Sequence, residues 1–400
     1  MRRAYWILGL GLGVTALGAA YVVRRQAPPA TIPEPTLQVS APAPSESAST
    51  QGNSIVDAGA DVAASKVGIY VETEVDDSLP ETLAAQREQL FKRMAPYYPP
   101  DQLETVKRIF AESELIGQGN PKPTQHPMKR SECMDIRRKA SHLAPADPRC
   151  GHPNMVPVYA REALEVKNLA DGGALPEAGV AGLSSVPSSA DAATVCIDQY
   201  EFPNIACEYP VVYARASEAD KICKAVGKRL CDAHEWEGAC AGSLRPLEVE
   251  YAFGDRRMLM QWFNNKYSEK VWAYGSEKNH KKCATGSFKN KKCGSGSWSE
   301  CGSNTYPTGA FPECVSAFGV YDQHGNAAEH MNMPLAPEEL ASRGGLGETE
   351  MKGSWFIFEN FEAHPDDCRY RAPAWHATKV DAADSHRNFH LGFRCCSDVK

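Results

Sequence analysis

The sequence predicts a membrane-anchored chain whose larger part is a loop-rich, disulfide-stabilised globular domain. Three observations carry this. The 14 cysteines are unevenly placed: none precedes Cys133, and twelve lie between Cys196 and Cys396. An even, clustered set of this kind reads as a disulfide framework, and hence an oxidising compartment. The stretch Ala4 to Val23 has no charged residue; at 1.5 Å per residue a helix of that length spans about 30 Å, the thickness of a bilayer core. The 42% hydrophobic, 23% charged and 9% aromatic residues are the composition of a chain that folds over most of its length.

The elements follow in order. Residues 1–26 are expected to form a transmembrane helix. Arg2 and Arg3 flank one end, Arg24 and Arg25 the other, and Tyr5, Trp6 and Tyr21 sit where rings favour the interface. A cleaved signal peptide is the rival, with small residues at Ala16, Gly18, Ala19 and Ala20. The apolar run is longer than a usual signal core, and no cysteine follows it to take a bacterial lipid anchor. The expected location is a bacterial inner membrane, crossed once, with the cysteine-bearing part in the periplasm or outside.

Residues 27–79 read as a disordered linker. Pro28, Pro29, Pro33, Pro35, Pro42 and Pro44 crowd its first part, and no Lys or Arg occurs between Gln26 and Ser65. Val67 to Val75 is a weak strand signal. Residues 80–118 read as a helical pair. Leu83, Leu90, Phe91 and Met94 share one face, Tyr97-Tyr98-Pro99-Pro100 interrupts, and Asp101 with Glu104 suggests a capping box for a second helix carrying Leu103, Val106, Ile109 and Phe110. This pair is expected to pack on the main domain as a spacer, with partner binding as the alternative. Residues 120–400 form the main domain, and the Ala/Gly/Ser-rich stretch 168–194 reads as a surface insertion. The net charge of −7 argues against nucleic acid, whose binding domains carry a basic face.

Within the main domain, SEADKICKAVGKRL begins at Ser217 as an expected N-cap, repeats its apolar residues at Ala219, Ile222, Cys223 and Val226, and closes at Gly227. CDAHEWEGAC follows, capped by Asp232 with Glu235 as its capping-box partner and Trp236 expected inside. Farther on come SAFGVYDQHGNAAE from Ser316, KGSW from Lys352, CRYR from Cys368 and LGFRCC from Leu391. Taken in this order, across Cys196 to Cys396, these segments resemble the formylglycine-generating enzymes, or sulfatase-modifying factors. The resemblance implies an α+β fold of C-type-lectin-like character with little regular secondary structure.

Formylglycine-generating members oxidise a substrate cysteine with O₂ and hold Cu(I) between two cysteines that follow a Gly-Gly-Ser motif. Cu(I) is soft, and a thiolate pair suits it. Here Ser354 keeps the serine, but Ile357 and Asp367 occupy the two copper-cysteine positions, with Cys368 one place off. The resemblance therefore brings no copper site, and Ser354 and Cys368 are weak catalytic candidates. It also implies that Cys223 pairs with Cys395. The family's partner for Cys240 falls on Ala372, so Cys368 becomes its replacement. The family's calcium loop maps onto Asp322, the carbonyls of Gly325 and Ala327, and Glu329, all oxygen donors that suit a hard cation. A solvated turn is the alternative. A second calcium site is not carried over, because a Lys- and Cys-rich stretch between Lys278 and Cys301 replaces its loop. His330, His376, His386 and His390 are the residues an iron-dependent relative would use.

The functional expectation is a non-oxidase binding or structural module facing a protein, peptide or glycan of the cell envelope, tethered by its N-terminal helix. The alternatives are a formylglycine-generating or related O₂-dependent cysteine-modifying oxidase, and a non-heme iron relative. The lysines between 278 and 292 hint at an anionic partner or a solvated loop.

Overall fold

The computed structural model describes residues 75–140, 147–161 and 187–400, apart from residues 252, 255 and 295. The apolar run at 4–23, the linker and the possible strand at Val67–Val75 as far as residue 74, and most of the 168–194 insertion lie outside them. Among the described residues no helix is long and apolar enough to cross a membrane.

Two helices open the fold, α1 (Leu83–Met94) and α2 (Pro100–Glu112). Thr82 caps α1 by accepting from the Ala85 N–H. The start of α2 differs from the capping-box expectation: Pro99 and Pro100 lead into it and Asp101 lies in its first turn. A proline at the first helical position loses no hydrogen bond, so the helix begins two residues earlier than a cap at Asp101 suggests. The pair is no detached spacer. Leu90, Met94, Leu103, Val106 and Phe110 are buried in one cluster with Phe202, Ile222, Val226 and Phe393 of the cysteine-rich part.

Helix α3 (Arg130–Lys139) follows. Strands β1 (Met155–Val158) and β2 (Val195–Asp198) then pair antiparallel. Helix α4 (Ala216–Ala225) starts at Arg215, whose N–H is held by Glu218 at 2.8 Å. Ser217 is thus inside the helix rather than its cap. Gly227 ends α4 at φ +73°, a backbone setting that costs a glycine little. Strand β3 (Arg229–Leu230) leads to α5 (Ala233–Ala241), where Glu235 accepts from the Asp232 N–H at 2.9 Å and Trp236 is fully buried. Two further helices, α6 (Leu247–Tyr251) and α7 (Arg257–Tyr267), precede a long irregular stretch. The chain closes with β4 (Ala328–Met333), β5 (Glu348–Lys352), β6 (Leu391–Phe393) and β7 (Cys395–Asp398).

The strands form two small sheets. One is antiparallel, in the order β1-β2-β7-β3; the other, β5-β4-β6, has a parallel β4–β6 pair. With helices between them and long loops elsewhere, this is a mixed α and β fold of low regular content. Seven disulfides join all 14 cysteines. They include Cys223–Cys395 and Cys240–Cys368, the pairs that the family resemblance implied. The adjacent Cys395 and Cys396 serve different partners because successive strand residues face opposite sides. Cys395 reaches Cys223 in the cluster with α1 and α2, while Cys396 reaches Cys231 in the cluster around Trp236.

These two bridges close nearly the same long loop, of 172 and 165 residues. Losing one leaves the other to restrain the denatured chain. Cys223→Ser should cost about 3 kcal/mol, and adding Cys231→Ser about 4 kcal/mol more on chain-entropy grounds, because Cys240–Cys368 still closes most of the loop. Urea unfolding of both variants checks this; equal, additive losses would show that the bridges do not share a loop.

Candidate functional site

The Gly-Ser-Trp turn after β5 places Ser354 at the base of the region that the sequence singled out. Ser354 is fully buried. Its Oγ accepts from the Gly325 N–H at 2.9 Å and donates to Asp366 Oδ2 at 3.0 Å. It is therefore a strut between the 322–329 loop and Asp366. Asp366 also accepts from Trp272 Nε1 at 3.0 Å and pairs with His280 Nε2 at 3.1 Å. Burial pushes its carboxyl up, but the His280 hydrogen bond, His324 and the Trp272 N–H together hold it well below the usual range. His324 accepts the Ala273 N–H at Nε2, which leaves its proton on Nδ1, 3.9 Å from Asp366.

The two copper-cysteine positions do not converge on a soft ligand set. Ile357 is buried among Val212, Tyr213, Phe356 and Phe389. Asp367 pairs with Lys270 at 3.2 Å through Oδ2, and its buried Oδ1 has no partner among the described residues. Cys368 lies close to His324, yet its sulfur is bonded to Cys240. Cys240, His324 and Cys368 are near enough to share an ion, as are Cys231, Glu235 and Cys396. In both groups the sulfurs are spent in disulfides, and His324 Nε2 already accepts a backbone N–H. The residues present do not fit Cu(I).

The segment after Asp367 is locked from behind. Arg369 and Arg371 are both buried: Arg369 pairs with Glu250, and Arg371 donates to Glu237 at 3.0 Å, a carboxylate it shares with Lys352. Two arginines inside a protein need such partners, since an uncompensated buried charge costs several kcal/mol.

The loop expected to take calcium is built differently at its two ends. Asp322, at φ +57°, turns its Oδ2 to accept from the Gly309 N–H at 2.5 Å. Glu329 is held at both oxygens by Arg394, at 2.6 and 2.7 Å, and accepts from Trp236 Nε1. A third carboxylate that sequence reading missed, Glu201, accepts from the Ala327 N–H and Asn326 Nδ2. Burial, with Arg394 and Arg137 only partly offsetting it, pushes Asp322 up to about 6; burial and its two acidic neighbours push Glu201 well above the usual range. Three buried carboxylates thus face two guanidiniums. The surplus acid shows as the raised carboxyls of Asp322 and Glu201, and oxygen donors of this kind are what a hard cation takes.

Of the four histidines considered for iron, His330, His376 and His386 line one small cavity, but among the described residues they do not bring three ligand atoms together. His330 Nε2 bonds the Ala214 carbonyl at 3.1 Å, His376 and His386 have ring centres 5.8 Å apart, and His390 stacks on Trp355 at 3.9 Å. That last contact belongs to an aromatic group missed by the sequence analysis. Trp355 also meets Phe358 and His364, and His364 stacks on Tyr370 at 5.4 Å. Among the described residues Trp355 Nε1, His364 Nε2 and His390 Nδ1 are shielded and have no hydrogen-bond partner. The alternation of aromatics and histidines in WFIFENFEAHPDDCRYR was the available signal.

Burial holds His126, His234, His324 and His330 near 4, below the ordinary histidine value. A group with a depressed folded pKa keeps its full contribution above the unfolded pKa of about 6.5 and loses it as the pH falls toward 4. Ring resonances of these four, followed by NMR from pH 8 to 5, should stay in the neutral position; a midpoint near 6.5 for any of them would refute its burial.

No curated protein matches the chain. Among solved structures, the crystal structure of CarF overlays at 12% identity, covering 64% of this chain and all of that one, with a TM-score of 0.32. The Major Tropism Determinant I1 variant overlays at 15% identity over 46% of this chain and 38% of that one, with a TM-score of 0.23. Overlays this loose carry no argument. The family model of the sulfatase-modifying factor enzyme 1-like domain, by contrast, matches residues 190–399, more than half of the chain, and the protein belongs to that family.

Proposed function

We propose that this is a membrane-anchored, extracytoplasmic family member whose domain binds a ligand and does not oxidise a cysteine. The observation that carries the reading is the ligand chemistry at the two copper positions. An aliphatic side chain packs at one and a lysine-paired carboxylate stands at the other, while every cysteine is taken up in a bridge. Such a set offers neither a thiolate for Cu(I) nor a metal to anchor a substrate thiol. The disulfides also support an oxidising compartment, the periplasm or the cell exterior for a bacterial chain held by residues 4–23 in the inner membrane.

The aromatic group around Trp355 supports binding. The half-buried rings of Trp355 and His364 offer stacking surface, and the shielded indole N–H and imidazole nitrogens, without a partner among the described residues, would bond a ligand that displaces the side chains over them. A peptide or glycan of the envelope, with both polar and flat apolar faces, is the class of ligand that would use them. Ser354 acts as a strut for this surface through Asp366 and Gly325.

The decisive assay incubates the full chain with a cysteine peptide of sulfatase type, Cu(I) and O₂. Mass spectrometry should find the peptide unchanged. Conversion of its cysteine to formylglycine above the no-protein control would restore the oxidase reading and point to a reduced Cys368 as ligand.

We also propose calcium in the loop, held by Asp322, the Gly325 and Ala327 carbonyls and the carboxylate that Glu329 shares with Arg394. A bound dication would neutralise the surplus buried charge. A ligand specific to the native state adds stability as RT ln(1 + [L]/Kd), about 2.7 kcal/mol at a hundredfold excess over Kd. Ca²⁺ should therefore raise the melting temperature of the parent, and Asp322→Ala should abolish that response. A parent whose melting temperature is the same in Ca²⁺ and in chelator has no such site.

A further inference from the structure

Helix α7 is amphipathic with its faces reversed. Its inward side is polar. Gln261 Nε2 donates to the Arg371 and Ala372 carbonyls, Asn264 Nδ2 to the Arg369 carbonyl, and Asn265 exchanges two hydrogen bonds with the Arg371 backbone, at 2.8 and 2.9 Å. Arg257, at its start, pairs with Glu348 and Glu350. Of the inward apolar residues only Met260 is buried.

The outward side carries Met258, Leu259, Trp262, Phe263 and Tyr267, exposed by 47–70%. They fall at i, i+1, i+4, i+5 and i+9, a single continuous stripe. Eight large apolar side chains are strongly exposed among the described residues, and five of them share this stripe. A helix in water normally turns such residues to the core, and a concentrated apolar patch marks a contact surface.

The composition of the stripe says what covers it. Trp and Tyr are the residues of the membrane–water boundary, and a helix with Trp, Phe and Leu on one face beside basic residues lies in that boundary. Lys266 lies within the stripe, its ammonium over the Trp262 and Tyr267 rings at 4.6 and 4.9 Å, on a stem long enough to carry the charge up to the headgroups, and Arg256 is exposed at the other end of the helix. The same chain carries the uncharged apolar run Ala4–Val23. A tether to a bilayer makes contact of the domain with that bilayer intramolecular, so a weak patch suffices.

We infer that α7 docks on the lipid surface, with Met258, Leu259, Trp262, Phe263 and Tyr267 entering the headgroup–acyl boundary. For the proximity of the bilayer this rests on the anchored reading; the stripe itself does not depend on it. Because the polar face of α7 is bonded to residues 369–372, docking would hold the segment beside the Trp355 group at a fixed height above the membrane.

The test uses the full chain in phosphatidylcholine–phosphatidylglycerol vesicles with brominated acyl chains. The emission of Trp262 is taken as the difference between the parent and Trp262→Phe. It should be quenched about twofold or more by the brominated lipid and be insensitive to aqueous iodide, as expected of an interfacial ring. Leu259→Glu with Phe263→Glu should remove the lipid quenching and leave the melting temperature unchanged, because both residues face outward. Quenching by iodide and not by lipid would place the stripe in water and overturn the proposal. Shielding from both would mean a protein cover, such as a second copy of the chain, and would overturn it too. Flotation with the vesicles separates this result from the anchor. A chain that floats with Trp262 unquenched loses the docking and keeps the anchor. A preparation beginning beyond residue 26 that still shows the quenching loses the anchor and keeps the docking. A chain that does not float loses both.

Discussion

One guanidinium, that of Arg394, holds the core of the domain together. It is fully buried between β6 and β7, pairs with both oxygens of Glu329 in β4, and donates to the carbonyls of Asp198, Gln199 and Tyr321. Both sheets and the 316–322 turn therefore meet on one charge. A buried charge left without its partner costs about 3–5 kcal/mol, more than most single packing defects. The requirement that Arg394 be satisfied fixes where β4 lies, and β4 in turn places the loop that ends at Glu329. Ser354 and Asp366 then tie that loop to the aromatic group.

The sequence was most legible where a local rule has one physical outcome. Gly227 and the Asp232–Glu235 capping box mark helix ends that the structure contains, because a left-handed residue and a reciprocal cap are decided within a few residues. It was less legible where two local devices compete. Ser217 could cap α4, but Glu218 reaches back to Arg215 and starts the helix earlier. The inner and outer faces of α7 were not distinguishable at all. An apolar stripe has the same period whether it faces the core or not, and only the carbonyls of residues 369–372, supplied from more than a hundred positions away, settle its direction.

The site was legible in its losses more than in its contents. By the family resemblance Ile357 and Asp367 stand where copper-binding members have cysteines, and neither residue type offers Cu(I) a soft ligand. Asp366 was overlooked beside Asp367, because two neighbouring aspartates look alike until one meets Ser354, Trp272 and His280 and the other meets Lys270. Glu201 lies far from the 322–329 loop in sequence, and no local pattern marks it as that loop's third carboxylate. Beside these positions stand rings and nitrogens that have no partner among the described residues, on a frame of buried arginines and carboxylates.

The adjacent cysteines of β7 also give the fold a mechanical polarity. Force applied beyond Cys396 reaches Cys395 and Cys396 after a few residues and passes at once, through covalent bonds, to Cys223 and Cys231. A threading unfoldase that entered from that side would have to draw in cross-linked strands together. Force from the other side meets no bridge before Cys133, so α1 and α2 peel away one turn at a time against noncovalent packing alone. While the bridges remain oxidised, dismantling this domain is a directional process that starts at its helical pair.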